Sequence, residues 1–264
     1  MTINLEQLAE AVDEAARTGT AIAQLTDAHP DLDSVTGYAV QRLSIQRRLN
    51  RGERQIGIKM GLTSRAKMRQ VGVNEVIWGR LTDAMRIEDG GEIALSGRIH
   101  PRVEPEIAFL LKKPLSGRVS PAEALAAVEA VAPAMEIIDS RYRDFKFNLA
   151  DVVADNASSS GLILGAPRPV GTDFANSWAN LGMVMRFAGQ PVQIGSSAAI
   201  LGHPLRSLVA AARLVAEAGE ILSPGDIVLA GAATEAVALR PGLHVRTDIQ
   251  GLGSVSFTVR GEAP

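Results

Sequence analysis

Two largely apolar runs carry carboxylates where a folded chain rarely places them. Glu104 and Glu106 lie in His100-Pro-Arg-Val-Glu-Pro-Glu-Ile-Ala-Phe-Leu-Leu111, and Glu136 lies in Val131-Ala-Pro-Ala-Met-Glu-Ile-Ile138. Both runs read as strands. Side chains alternate faces along a strand, so Glu104 and Glu106 point the same way, on a face that continues into Ala108 and Leu110 rather than into more charge. A buried carboxylate without a partner costs several kcal/mol or takes up a proton. Three converging carboxylates therefore call for a shared cation, and a divalent metal answers that need. The alternative is a solvated sheet face, the common setting of Glu-x-Glu on an antiparallel strand. Glu136, between Met135 and Ile137 with no charged neighbour until Asp139, fits that alternative less well, although a strand with one wet face would also present it to water.

The remaining donors narrow the metal. Cysteine is absent and only four histidines occur (His29, His100, His203 and His244), no two at helical ligand spacing. An all-carboxylate oxygen set suits magnesium, with manganese as the alternative, better than zinc. His100 and His203 each precede a proline, which favours loop geometry, and both read as structural. Lys59, flanked by Ile58 and Met60 in a short strand ending at Gly61, either guards an edge strand or stands beside the metal, where an ammonium stabilises an enolate or moves a proton. Asp155-Asn-Ala-Ser-Ser-Ser-Gly161 is polar and reads as a loop or a helix end, with loop the default. Gly231-Ala-Ala-Thr-Glu235 follows a strand, so its backbone amides and the Thr234 hydroxyl are placed to bind a carboxylate. No P-loop, GxGxxG or GxSxG pattern occurs, which argues against a nucleotide cofactor and a serine nucleophile.

The elements that must position these residues are legible from periodicity and punctuation. Two helices open the chain, one capped by Asn4 and ending at Gly19, the other running from Asp33 to Gly52. Ile56 to Met60 is a short strand, followed by a helix capped at Thr63 or Ser64 and carrying Ala66, Met68 and Val71. Asp89-Gly-Gly91 turns between short strands, and Gly182 to Ile194 reads as a hairpin turning at Ala188-Gly-Gln190. Pro204 opens a helix that runs to Gly219. Ser223-Pro-Gly-Asp226 leads into the strand Ile227 to Ala230, and strands near Leu243 to Asp248 and Ser254 to Arg260 follow. The class is α+β: a small α/β cap over residues 1–75 on a β-rich catalytic body over 76–264.

A chain of 264 residues with net charge −2 and no basic block gives nucleic acid no electrostatic foothold. Met1 to His29 lacks the pattern of a secretory signal, and no apolar stretch is read as approaching a membrane span, so a soluble, cytoplasmic enzyme is expected.

Four motifs, in order, resemble one family: Gly57-Ile-Lys-Met-Gly-Leu-Thr-Ser64, Pro101-Arg-Val-Glu-Pro-Glu-Ile-Ala108, Glu136-Ile-Ile-Asp-Ser-Arg-Tyr-Arg-Asp-Phe-Lys-Phe147 and Val153-Ala-Asp-Asn-Ala-Ser-Ser159. Over nearly its whole length the chain resembles the fumarylacetoacetate hydrolase superfamily, in the branch that holds hydratases and decarboxylases of aromatic meta-cleavage catabolism. The resemblance implies a β-rich roll with a smaller helical N-terminal domain, usually oligomeric. It implies magnesium on Glu104, Glu106 and Glu136, a catalytic Lys59, and a substrate-facing role for Tyr142, Ser158 and Thr234. Lys59-Met60, Tyr142 and Phe145-Lys-Phe147 resemble the decarboxylases. Ala230-Gly231-Ala-Ala-Thr234 departs from the Gly-Gly-Ile-Thr expected of them, which alters the substrate-facing loop.

The activity implied is magnesium-dependent decarboxylation of a small 2-oxo dicarboxylic acid, 2-oxo-3-hexenedioate, to 2-hydroxypenta-2,4-dienoate. The rival readings are hydration of that dienoate, carbon–carbon hydrolysis of a β-diketone, and a non-catalytic subunit supporting a partner. A homo-oligomer and a complex with the pathway hydratase are the expected assemblies, with no nucleic-acid or membrane partner.

Overall fold

Asn4 accepts a hydrogen bond from the Gln7 N–H and opens α1 (Leu5–Thr18), which Gly19 closes in the left-handed conformation. After the short α2 (Leu25–Ala28), Asp33 caps α3 (Ser34–Asn50) through the Thr36 N–H. Then come β1 (Gln55–Gly61), β2 (Ile77–Thr82), β3 (Arg86–Ile87), β4 (Glu92–Ile93) and β5 (Arg102–Leu111). A Ser120/Glu123 capping box with Pro121 in the first turn starts α4 (Pro121–Ala127), which runs directly into β6 (Val128–Ile138). An Asn148/Asp151 capping box starts α5 (Leu149–Ala154), before β7 (Ser159–Leu164), β8 (Arg168–Pro169), β9 (Gly182–Phe187) and β10 (Gln190–Ser196). The chain continues through α6 (Pro204–Glu217), β11 (Ile227–Leu229), β12 (Val237–Ala238), β13 (His244–Ile249) and β14 (Gly253–Val259). The computed structural model describes residues 3–64, 68, 75–171 and 177–261. Of the helix expected after Ser64, Met68 is helical and donates its N–H to the Ser64 carbonyl at 2.9 Å, while Ala66 and Val71 lie outside the described residues.

The strands form two sheets. The larger runs β2-β1-β11-β5-β6-β7-β3, with β12 also on β5 and β8 on β6, and the smaller runs β10-β9-β13-β14-β4. The β9–β10 hairpin turns at Ala188 and Gly189, both at positive φ, as its sequence predicts.

Each face of the large sheet has its own cover. Val103, Met135, Ile137 and Ile163 pack against Met185, Val245, Val255 and Phe257 of the small sheet. Ile58, Met60, Ile107 and Phe109 pack with residues of α4 and α6. The opposite face carries Ala108, Ala132, Ala134, Leu162 and Leu229. Glu104, Glu106 and Glu136 share that face by strand alternation and so does Lys59, because its neighbours Ile58 and Met60 point the other way. A separate cluster joins Leu8, Val12, Leu25 and Val40 of the N-terminal helices to Tyr142, Ala150 and Ala154.

Two expectations are revised. The boundary at 75/76 falls after β1, yet β1 is hydrogen-bonded between β2 and β11 inside the large sheet, so the helical layer ends before it. Ser197–Glu217 is long and apolar enough, by length and composition, to cross a membrane. Its Leu208, Ala211, Ala212 and Val215 are buried in the main core, the setting of an apolar helix inside a globular fold.

Candidate metal centre and substrate cavity

Register brings the carboxylates together. In the antiparallel β5/β6 pair Glu104 stands directly opposite Glu136, and Glu106 stands opposite Ala134 on the same face. One oxygen from each of the three carboxylates lies within 4.8 Å of the others, and all three residues are buried, Glu106 and Glu136 at 0% exposure. Gly231 donates its N–H to Glu106 Oε2 at 2.8 Å. A side chain at 231 would meet Thr63 Oγ1 at 2.2 Å, and φ there is +105°, so glycine alone fits. Among the described residues, the backbone donor of this loop on a carboxylate is thus the Gly231 N–H, and the carboxylate is Glu106 of the same chain.

Lys59 Nζ is the counter-ion. It sits 2.8 Å from Glu136 Oε2 and donates to the Ala157 carbonyl at 3.0 Å. Burial pushes the ammonium towards the neutral form, but the charges of Glu136, Glu104 and Glu106 outweigh it and raise its pKa above the ordinary lysine value. Burial, then the charges of Glu136 and Glu104, hold Glu106 well above the carboxylate range. One ammonium stands against three carboxylates in a dry site, and burial together with that imbalance keeps a proton on Glu106 when no cation is present. Among the described residues Glu106 Oε1 and Glu136 Oε1 lack hydrogen-bond partners, while Glu136 Oε2 meets Lys59. Buried orphan carboxylate oxygens in a converging, oxygen-only set fit a divalent hard cation.

A left-handed turn forms one wall. Asn156, Ala157 and Ser158 have φ of +52°, +50° and +59° in succession. Asparagine tolerates this conformation, but alanine and serine in it cost about 1–2 kcal/mol each. The surroundings hold the turn in place. Asn156 bonds both backbone groups of Arg80, the Ser158 hydroxyl donates to Asp155, and the Arg141 guanidinium pairs closely with Asp155 and donates to the Ser159 carbonyl at 3.1 Å. Burial pushes Asp155 up to about 6, against the opposing pull of Arg141.

In front of Lys59 and Glu104 opens a cavity of about 520 Å³. Thr63, Ser64 and Ser158 supply hydroxyls, while Ile77, Phe145, Phe147, Leu149 and Val152 make the lining mainly apolar. Phe145, itself at φ +58°, is held by the Arg102 guanidinium 4.2 Å from its ring centroid and by the His100 ring at 4.9 Å.

The expected substrate residues separate here. Ser158 lines the cavity. Tyr142 does not: it is fully buried against the N-terminal helices and its hydroxyl donates to the Asp151 carbonyl at 3.0 Å. Its ring completes the helical core, which corrects the substrate role expected of it. Thr234 lies beyond Ala232, the loop residue that lines the cavity, and its hydroxyl donates to the Glu235 carbonyl at 3.2 Å. Of the two readings from Asp155, the structure has the helix end, followed by the left-handed turn and β7. Asn156, Gly79 and the Arg141–Asp155 pair escaped sequence reasoning. Asn156 alone left a trace, as a residue type at home in left-handed backbone directly after a helix.

Comparison with known proteins gives the family and the fold. The profile of the family described as Fumarylacetoacetate (FAA) hydrolase C-terminal matches residues 47–260. A protein from Pseudomonas sp named 4-oxalocrotonate decarboxylase is 59% identical over 263 residues, covering 98% of this chain and 100% of that protein. A 2-keto-4-pentenoate hydratase from Paraburkholderia xenovorans is 39% identical over 253 residues, covering 95% of this chain and 93% of the hydratase. The solved structure of 4-oxalocrotonate decarboxylase from Pseudomonas putida G7, complexed with magnesium and adipate, superimposes with a TM-score of 0.93 at 40% identity, covering 98% of this chain and 99% of that one.

Proposed function

The chain belongs to the fumarylacetoacetate hydrolase family, and on that premise we propose that it is a magnesium-dependent decarboxylase converting 2-oxo-3-hexenedioate (4-oxalocrotonate) to 2-hydroxypenta-2,4-dienoate and carbon dioxide. One observation carries the reading: three buried carboxylates converge within 4.8 Å of one another, and with Lys59 beside them they open onto a cavity whose lining is mainly apolar.

Glu104, Glu106 and Glu136 would hold the cation, with manganese as a substitute. When bound, it supplies a Lewis acid for the 1-carboxylate and 2-oxo oxygens of the substrate. Breaking the bond between C5 and C6 releases the distal carboxylate as carbon dioxide. Its electron pair moves through the conjugated double bond to the 2-oxo oxygen. Lys59 stabilises that developing negative charge and gives the oxygen a proton, a role its buried ammonium beside Glu136 supports. Phe145, Phe147, Leu149 and Val152 keep water from the departing carboxylate, and a poorly solvated carboxylate leaves faster. Ser158 at the cavity wall contributes to holding the substrate, whereas Tyr142 supports the fold.

The second reading is hydration of 2-hydroxypenta-2,4-dienoate, supported by the hydratase relative and by the Thr63, Ser64 and Ser158 hydroxyls in the same cavity. Purified protein with magnesium, assayed on both compounds, separates the two. Carbon dioxide from 2-oxo-3-hexenedioate is the expected result, and 4-hydroxy-2-oxopentanoate formed from the dienoate with no gas from the first compound would overturn it. We propose further that the protein acts in the cytoplasm as a homo-oligomer, with the pathway hydratase as partner. Ile194, 74% exposed on β10, supports such an assembly surface, and light scattering alone and with the hydratase tests it.

A further inference from the structure

The residue opposite Lys59 across the β1/β2 pair is Gly79. Both sit on the sheet face that carries the carboxylates, and the left-handed turn packs into the space left by the missing side chain. A Cβ at 79 would stand 2.4 Å from the Asn156 carbonyl oxygen and 3.0 Å from Asn156 Oδ1. Asn156 locks the turn there: its Oδ1 accepts from the Arg80 N–H at 2.7 Å and its Nδ2 donates to the Arg80 carbonyl at 2.9 Å. The next residue, Ala157, turns its carbonyl to Lys59 Nζ at 3.0 Å. Nζ thereby has two fixed partners, that carbonyl and Glu136 Oε2 at 2.8 Å.

We propose that Gly79 and Asn156 are positioning residues that seat Lys59. Gly79 makes room for the turn, and Asn156 fixes its register on β2. The left-handed backbone aims the Ala157 carbonyl so that the ammonium stays beside the carboxylates rather than swinging into the cavity. The strain of Ala157 and Ser158 at positive φ is what the aim requires, since an extended segment would run its carbonyls along the sheet instead of at Nζ. The inference rests on Lys59 acting on the substrate, but its geometric content does not need the reaction.

Two variants probe the seat from opposite sides. Asn156→Gly adopts φ of +52° without strain and removes only the side-chain anchor. Gly79→Ala removes no hydrogen bond and pushes the turn off β2. Both are expected to lower kcat by about tenfold to a hundredfold, the scale of a group displaced by roughly 1 Å, with KM and magnesium affinity within about twofold. The second readout is the Lys59 side-chain nitrogen resonance in lysine-labelled, metal-free protein, which should shift or broaden in both variants. If Asn156→Gly fails to fold, Asn156→Asp, which keeps the acceptor for the Arg80 N–H, takes its place under the same criteria.

Folded variants with wild-type kcat and an unmoved Lys59 resonance would overturn the proposal. So would a lower melting temperature with both readouts unchanged, since that marks a purely structural role. If wild-type protein releases no carbon dioxide, the functional reading fails, while the resonance still decides whether the seat exists.

Discussion

Glu106→Gln tests the metal centre with the least disturbance, because glutamine matches glutamate in shape and keeps an acceptor for the Gly231 N–H. At a separation of 4.8 Å and an effective dielectric constant of about 20, one pair of carboxylates repels by about 3.5 kcal/mol. Glu106 faces two such neighbours, so a fully ionised set would be relieved by roughly 7 kcal/mol, less the lost attraction of Lys59. That figure applies only while all three carboxylates are ionised. Burial and its neighbours already hold Glu106 well above the ordinary carboxylate range, so the metal-free protein relieves most of the repulsion by keeping a proton there. The expected change in metal-free stability is therefore a gain of about 0–2 kcal/mol. Magnesium, by contrast, loses one of three anionic ligands. Its affinity should fall by more than the hundredfold or so that follows loss of a supporting second-layer group. Thermal melts in chelator and calorimetric titration with magnesium measure the two quantities on one preparation. A metal-free melting temperature several degrees below wild type, with magnesium affinity unchanged, would make Glu106 a structural carboxylate and refute the reasoning.

Lys59→Ala should lower turnover by about a hundredfold or more. It should also destabilise the metal-free protein by roughly 3–5 kcal/mol, because Glu136 loses its buried counter-ion. Magnesium should recover much of that stability but not the turnover, and near-normal turnover would return Lys59 to a purely structural role. Asp155, raised from 3.8 to about 6, binds more proton in the native state than in the unfolded chain between those values. Its contribution to stability is thus complete below the unfolded value and declines by about 3 kcal/mol as pH rises through about 6. The stability of wild type minus that of Asp155→Asn, followed by denaturant titration across that window, should fall with rising pH, and a rise with pH would contradict the assignment. Phe145→Ala opens the apolar wall to water and should lower carbon dioxide release by about tenfold, with the melting temperature moving by only a few degrees. Gas release at the wild-type rate would remove Phe145 from the reaction.

The chemistry of the site was written in local patterns. Alternation along Pro101–Ala108 puts Glu104 and Glu106 on one face, while the apolar company of Glu136 and of Lys59 singles both out and leaves their burial open. Asn4, Asp33 and Pro204 announce helix starts for the same local reason, since caps and fixed φ act within one turn of chain. What the tertiary structure decided is which faces meet. The register that sets Glu104 opposite Glu136, and the order that brings β1 to within two strands of β5, depend on pairings between residues far apart in sequence. Tyr142 illustrates the limit: it stands in a motif that resembles substrate-binding chains, yet its ring completes the helical core, because packing partners and not neighbours in sequence fix where a side chain points. The turn from Asn156 to Ser158 is the sharper case. Left-handed backbone at alanine and serine runs against local preference and persists only because Gly79, Arg80, Arg141 and Asp155 close around it. No periodicity in the sequence encodes a conformation that its own residues disfavour.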